Sequence, residues 1–256
     1  MAMPHAQGRR CRLLGKSHLA LAFAGVLLTI ATSLPAQAGD ADCDVYSAFE
    51  PVDRLTLGAV TTSERRVNFA KNDGVQTGCP SDAAACREQA YVVPGDKVIV
   101  GRRFGSFTCA SYVTPKGLGR AGWLPSAAIT PLPDQTSSSP ESWVGNWQAP
   151  EKSIVIRRNA SSDGLDLTGS ATWGGQDPDR VKRGAVNTGA FEAMAKPNGS
   201  SLAFTVGVRE TLPYDKSTDA DCSVRLRLLE SFLLVQDNGR CGGMNVSFSG
   251  AYNKGR

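Results

Sequence analysis

The stretch CSVRLRLLESFLLVQDNGRC, residues 222–241, decides the fold. Val224, Leu226 and Leu228 alternate with Ser223, Arg225 and Arg227, and a period of two marks a strand with one buried face. A two-residue turn at Glu230-Ser231 sends the chain back antiparallel. Leu226 then faces Val235, and Cys222 falls opposite Gly239, two residues from Cys241. One small bulge brings the two sulfurs within bonding reach. A Cys222–Cys241 disulfide is therefore expected to close the base of this hairpin.

The same pattern extends outward. Met244, Val246 and Phe248 alternate with Asn245, Ser247 and Ser249, and Leu202, Phe204 and Val206 alternate with small or polar residues. Ile154-Val155-Ile156 and Leu165-Asp166-Leu167 are two shorter candidates. Turn sequences separate them at Ser162-Asp163-Gly164, Pro197-Asn198-Gly199 and Asp237-Asn238-Gly239. No comparable stretch has helical periodicity. Roughly eight short strands joined by hairpin-like turns predict an antiparallel barrel or sandwich.

Residues 131–140 (PLPDQTSSSP) have linker composition, since proline removes backbone donors and serine stays solvated. They divide the chain into segments 39–130 and 141–256, for which separate cores are expected. The first segment is also mainly β. Val67-Asn68-Phe69-Ala70, Tyr91-Val92-Val93, Lys97-Val98-Ile99-Val100 and Phe107–Val113 are strand candidates, with turns at Pro94-Gly95-Asp96 and Lys116-Gly117-Leu118-Gly119. Pairing within segments forces Cys222 to Cys241 and leaves three choices for the other four cysteines. Cys79 and Cys86 bracket a short loop; joining them leaves Cys43 to Cys109.

The Gly95-Asp96 turn, the Val-rich strand after it, the strand bearing Cys109 and the closing Gly122-Trp123-Leu124 step resemble bacterial SH3-type domains over about residues 64–132. Residues 72–88, with Cys79 and Cys86, read as an insertion. Trp143-Val144-Gly145-Asn146-Trp147 carries a Gly-x-Trp opening that is similar to that of the calycins, or lipocalin-like barrels. That resemblance implies a barrel plugged at one end by Trp147, with Arg240 the candidate for the late arginine that stacks on it. The expected fold is all-β: an SH3-like small barrel, then a roughly eight-stranded calycin-like antiparallel barrel.

At the other end of the chain, Arg9, Arg10, Arg12 and Lys16 precede an apolar run, Leu19–Leu34, and a small-x-small site, Ala36-Gln37-Ala38. That order reads as a cleaved secretory signal peptide over 1–38. Its removal takes His5, His18 and Cys11, leaving six cysteines and no histidine. The chain has 28 Lys+Arg and 24 Asp+Glu, and four of the basic residues lie in 1–38. The remainder is neutral, so no nucleic-acid partner is expected. It has no run able to span a bilayer. A periplasmic or secreted location follows, with a cell-wall component or envelope protein as partner.

Without histidine beyond residue 18, a Ser-His-Asp triad or Cys-His dyad cannot form. No cofactor or metal is expected, because paired cysteines are not ligands. Glycoside hydrolysis needs only two carboxylates; Asp163 with Asp166, Asp177 with Asp179, and Asp215, Asp219 and Asp221 are near in sequence, but in turn-rich segments. The stretch Trp173–Gly184 is more informative. It joins an aromatic to flexible glycines and to Arg180, Lys182 and Arg183, which suit an anionic partner such as a cell-wall carboxylate. Ser249-Gly250-Ala251-Tyr252-Asn253-Lys254-Gly255 resembles the Ser-Gly-x-x-Tyr and Lys-Gly segments of periplasmic c-type lysozyme inhibitors, with the tyrosine spacing different by one. Trp173, Arg180, Lys182, Arg183, Ser249 and Tyr252 are thus the candidate ligand-binding residues. The first expectation is an exported, non-catalytic envelope-binding protein that recognises peptidoglycan or a peptide. The second is an inhibitor of a lysozyme-type enzyme, and an envelope glycosidase is the least favoured.

Overall fold

The computed structural model describes residues 42–44, 51–114, 119–133, 138–214, 221–230 and 232–255. The predicted signal peptide lies outside the described residues. The protein is all-β, built on two antiparallel sheets. Among the described residues no helix is long and apolar enough to cross a membrane.

The first sheet contains β1 (Thr56–Val60), β2 (Val67–Ala70), β3 (Arg87–Val92), β4 (Lys97–Phe104), β5 (Phe107–Val113), β6 (Gly119–Pro125) and β7 (Ile129–Pro131), in the order β3-β2-β6-β5-β4-β1-β7. The second contains β8 (Gly145–Ala149), β9 (Lys152–Arg158), β10 (Leu165–Trp173), β11 (Asn187–Ala195), β12 (Ser201–Val206), β13 (Thr211–Leu212), β14 (Cys222–Leu229), β15 (Phe232–Asp237) and β16 (Gly250–Lys254). Its order is β11-β10-β9-β8-β16-β15-β14-β12-β13. The last strand pairs with the first, so this meander is a nearly closed barrel with its seam between β11 at one edge and β12 with the short β13 at the other.

The hairpin at 222–237 has the register expected from its apolar pattern. Leu226 pairs with Val235, and Leu229 with Phe232 across the turn. The three disulfides are Cys43–Cys109, Cys79–Cys86 and Cys222–Cys241.

The barrel interior is packed. Trp143, Trp147, Phe191, Phe204, Phe248 and Tyr252 fill it together with aliphatic side chains from the strands. Phe191 lies edge-on to Phe248, with centroids 4.8 Å apart. Trp147 donates its indole N–H to the Trp143 carbonyl at 2.8 Å. The cation over Trp147 is Lys254 of the last strand, 5.2 Å from the ring centroid, and not Arg240, which is exposed.

Three expectations are corrected. Residues 244–249 do not form a strand, although Val246 and Phe248 are buried. Asn245 has a left-handed φ of 66°, which interrupts extended chain. The Asp237 carboxylate also takes the backbone N–H groups of Phe248 and Ser249, at 3.1 and 3.0 Å, in place of a ladder.

The linker is not free at its ends. Pro131 lies in β7 opposite Gly58, Leu132 N–H donates to the Leu57 carbonyl at 2.9 Å, and Pro140 opens a short helix, α1 (Pro140–Trp143). Nor are the cores separate. Leu229, Leu234 and Ala251, on the outer face of the barrel, pack with Cys43, Val52, Leu55, Leu57, Ile99 and Trp123. Arg227 shares that outer face. It is 6 % exposed and donates to the Asp53 carbonyl, where alternation alone would leave it in solvent.

Two outcomes are expected. Calorimetry should show one unfolding transition for both sheets, and Leu234→Ala should lower it as a unit, by about 2–5 kcal/mol. Two resolved transitions would show the sheets to be independent. The Cys43–Cys109 loop spans 66 residues and the Cys79–Cys86 loop 7. Cys43→Ser should therefore destabilise by about 2 kcal/mol more than Cys79→Ser in urea unfolding.

Candidate functional site

A cleft of about 820 Å³ lies between the two sheets. One wall comes from β5 and β6, with Ser111, Val113, Gly119 and Ala121. The opposite wall comes from the barrel: the β8–β9 turn, the end of β10, the loop after it, and the start of β16.

The loop after β10 is held in place by its neighbour. Glu151, in the β8–β9 turn, has a left-handed φ of 62°. Its carboxylate accepts from the backbone N–H of Gly174 at 3.3 Å and of Gln176 at 2.7 Å, and its carbonyl accepts from Thr172 at 2.8 Å. These bonds offset the strain of that backbone. Asp177 then caps α2 (Pro178–Lys182), accepting from the N–H groups of Asp179 and Arg180 at 2.9 and 3.2 Å, with Pro178 in the first turn.

Arg180 turns back over Trp173, its guanidinium carbon 4.0 Å from the ring centroid. Its Nε is 3.5 Å from Asp177 Oδ2. Only glycine at 174 allows this, because a Cβ there would meet Arg180 Cδ at 2.6 Å and φ is 82°. At Gly175 a Cβ would meet Thr172 Oγ1 at 2.5 Å.

Lys152 lies deeper in the same cleft. Its Nζ donates to the Ser249 carbonyl at 2.7 Å. Burial lowers its pKa below the usual lysine range, and the negative charges of Asp237 and Glu151 offset part of that shift.

Of the six residues singled out from the sequence, Trp173 and Arg180 come together at this cleft. Lys182 and Arg183 are exposed and do not line it. Tyr252 is corrected as a surface ligand residue: it is fully buried in the barrel, its hydroxyl donating to the Phe248 carbonyl at 2.7 Å. Burial, with Asp237 nearby, raises its pKa well above that of an ordinary phenol. The Ser249 hydroxyl is held by Asp237 Oδ1 at 2.6 Å. Parity on β15 puts Asp237 on the inner face with Leu233 and Val235, and this was the available signal for its structural role. Lys152 and Glu151 carried no such signal, because their importance comes from contacts distant in sequence.

The paired carboxylates considered for glycoside hydrolysis are dispersed or engaged. Asp166 accepts from Asn159 at 2.8 Å, Asp163 faces Lys196 at an exposed turn, and Asp177 caps α2. Asp215 and Asp219 lie outside the described residues.

Trp123, Trp143 and Trp147 are each at most 1 % exposed. Trp173 is thus the tryptophan most open to a soluble quencher. Arg180→Ala should increase acrylamide quenching of the tryptophan fluorescence, with melting unchanged. Unaltered quenching would mean that the stacked geometry does not persist in solution.

No protein-family model matches the chain, and neither a curated protein nor a solved structure is significantly similar to it.

Proposed function

We propose that this chain is an exported, non-catalytic binding protein of the bacterial cell envelope, with peptidoglycan or a peptide as its ligand. The observation that carries the reading is the cleft between the sheets. A preorganised loop there holds the Arg180 guanidinium over Trp173, and a half-buried Lys152 lines the same cleft. Fixed cationic groups on a rigid β scaffold suit recognition, because little side-chain freedom is lost on binding. The SH3-type resemblance of the first sheet's sequence supports an envelope ligand, and the three disulfides agree with an oxidising compartment. The inhibitor reading is not carried forward. It rested on the exported barrel and on the segment from Ser249 to Tyr252, and those two residues serve the barrel's own structure.

The test is co-sedimentation with purified peptidoglycan. It should use the chain from residue 39 onward, because residues 37–256 form one compact unit and the two sheets share a core. Binding is expected, and Arg180→Ala should weaken it about tenfold. Failure to sediment at excess peptidoglycan would remove the cell-wall reading.

A further inference from the structure

We propose that the cleft takes a peptide by a free carboxylate, gripped between the guanidinium of Arg180 and the ammonium of Lys152, and not a glycan. The proposal rests on the binding reading above and specifies its ligand class.

The charges in the cleft are unequally engaged. Its two acids, Glu151 and Asp177, are committed to backbone N–H groups of the loop they hold. Its two cations are not. Arg180 has a ring beneath one face and a loose contact from Nε to Asp177. Among the described residues its two terminal nitrogens meet no protein acceptor. A guanidinium fixed in this way presents parallel N–H groups that match the two oxygens of a carboxylate. Among the described residues Lys152 Nζ has one protein acceptor, the Ser249 carbonyl, so two of its three N–H bonds remain for a ligand. Its lowered pKa marks a charge that its surroundings solvate poorly, and a bound anion would relieve that.

The same geometry disfavours a sugar. Glycans are held largely by stacking on open aromatic faces. Among the described residues Trp173 is the only aromatic one lining the cleft. It packs against the barrel core and is covered by Arg180. The facing wall of Ser111, Val113, Gly119 and Ala121 is made of small side chains, mostly apolar, and suits an extended backbone with short side chains. A volume of about 820 Å³ is that of a site for a small molecule or short peptide.

Calorimetric titration of the chain from residue 39 onward tests this with three probes: acetyl-trialanine with a free C-terminus, its C-terminal amide, and tri-N-acetylchitotriose. The acid should bind, the amide about tenfold more weakly or not at all, and the sugar not at all. Arg180→Met should weaken the acid about tenfold and leave the amide unchanged. Lys152→Gln, which keeps a donor for the Ser249 carbonyl, should do the same, and melting curves verify that both variants fold. Equal binding of acid and amide, sugar binding, or no binding of the acid would each overturn the proposal. Sedimentation with peptidoglycan without binding of the acid would overturn this ligand class and leave the envelope reading. Binding of the acid without sedimentation would leave the site and remove the cell wall as partner.

Discussion

Leu229 and Leu234, on the outer face of the β14–β15 hairpin, are as buried as Leu226 and Leu233 on its inner face. A strand pair in an isolated barrel would bury one face only. Here the second face is covered by the first sheet, through Val52, Leu55, Leu57, Ile99 and Trp123. Removing apolar surface from water on both faces is what makes one body of two sheets. Polar contacts align the seam: Arg227 reaches the Asp53 carbonyl, Lys97 pairs with Glu230, and Asn253 donates to the Thr114 carbonyl at 2.9 Å.

The cleft is a consequence of that docking. Val113, Ala121 and Ala251 belong to the shared core or pack against it, and they also line the cleft. Glu151, which lines it, and Asp237, buried on the inner face of β15, act as internal acceptors. Asp237 Oδ1 takes four donors from Ser247, Phe248 and Ser249 and so sets the path into β16. Glu151 holds the loop that carries Arg180. Both cations of the cleft are thus placed by carboxylates, Glu151 through the loop that carries Arg180 and Asp237 through Ser249, whose carbonyl accepts from Lys152.

Legibility followed contact range. The hairpin register and the Cys222–Cys241 pairing came from counting residues across one turn, which needs no knowledge of the remainder. Trp173 and Arg180 are seven positions apart, and glycine between them was a readable hint that the chain doubles back. Lys152 is 97 positions from Ser249. Arg227 is 174 positions from Asp53. No pattern along the chain links such pairs. Alternation at Met244, Val246 and Phe248 misled because buried side chains every second residue do not require a ladder. A buried carboxylate satisfied the backbone there instead.

The run from Phe232 to Val235 contains this division in small. Alternation upstream, at Val224, Leu226 and Leu228, determined by itself that a strand was present and which side chains pointed inward, because the pleat of the backbone is local. The four successive apolar residues of the return strand broke that alternation without saying what would cover the second face. What covers the outer face is a matter of which surfaces meet, and that depends on the summed burial of residues scattered from Cys43 to Trp123. Only the tertiary structure decided it, and with it the cleft, the burial of Arg227 and the placing of Lys152 and Arg180 in one cleft.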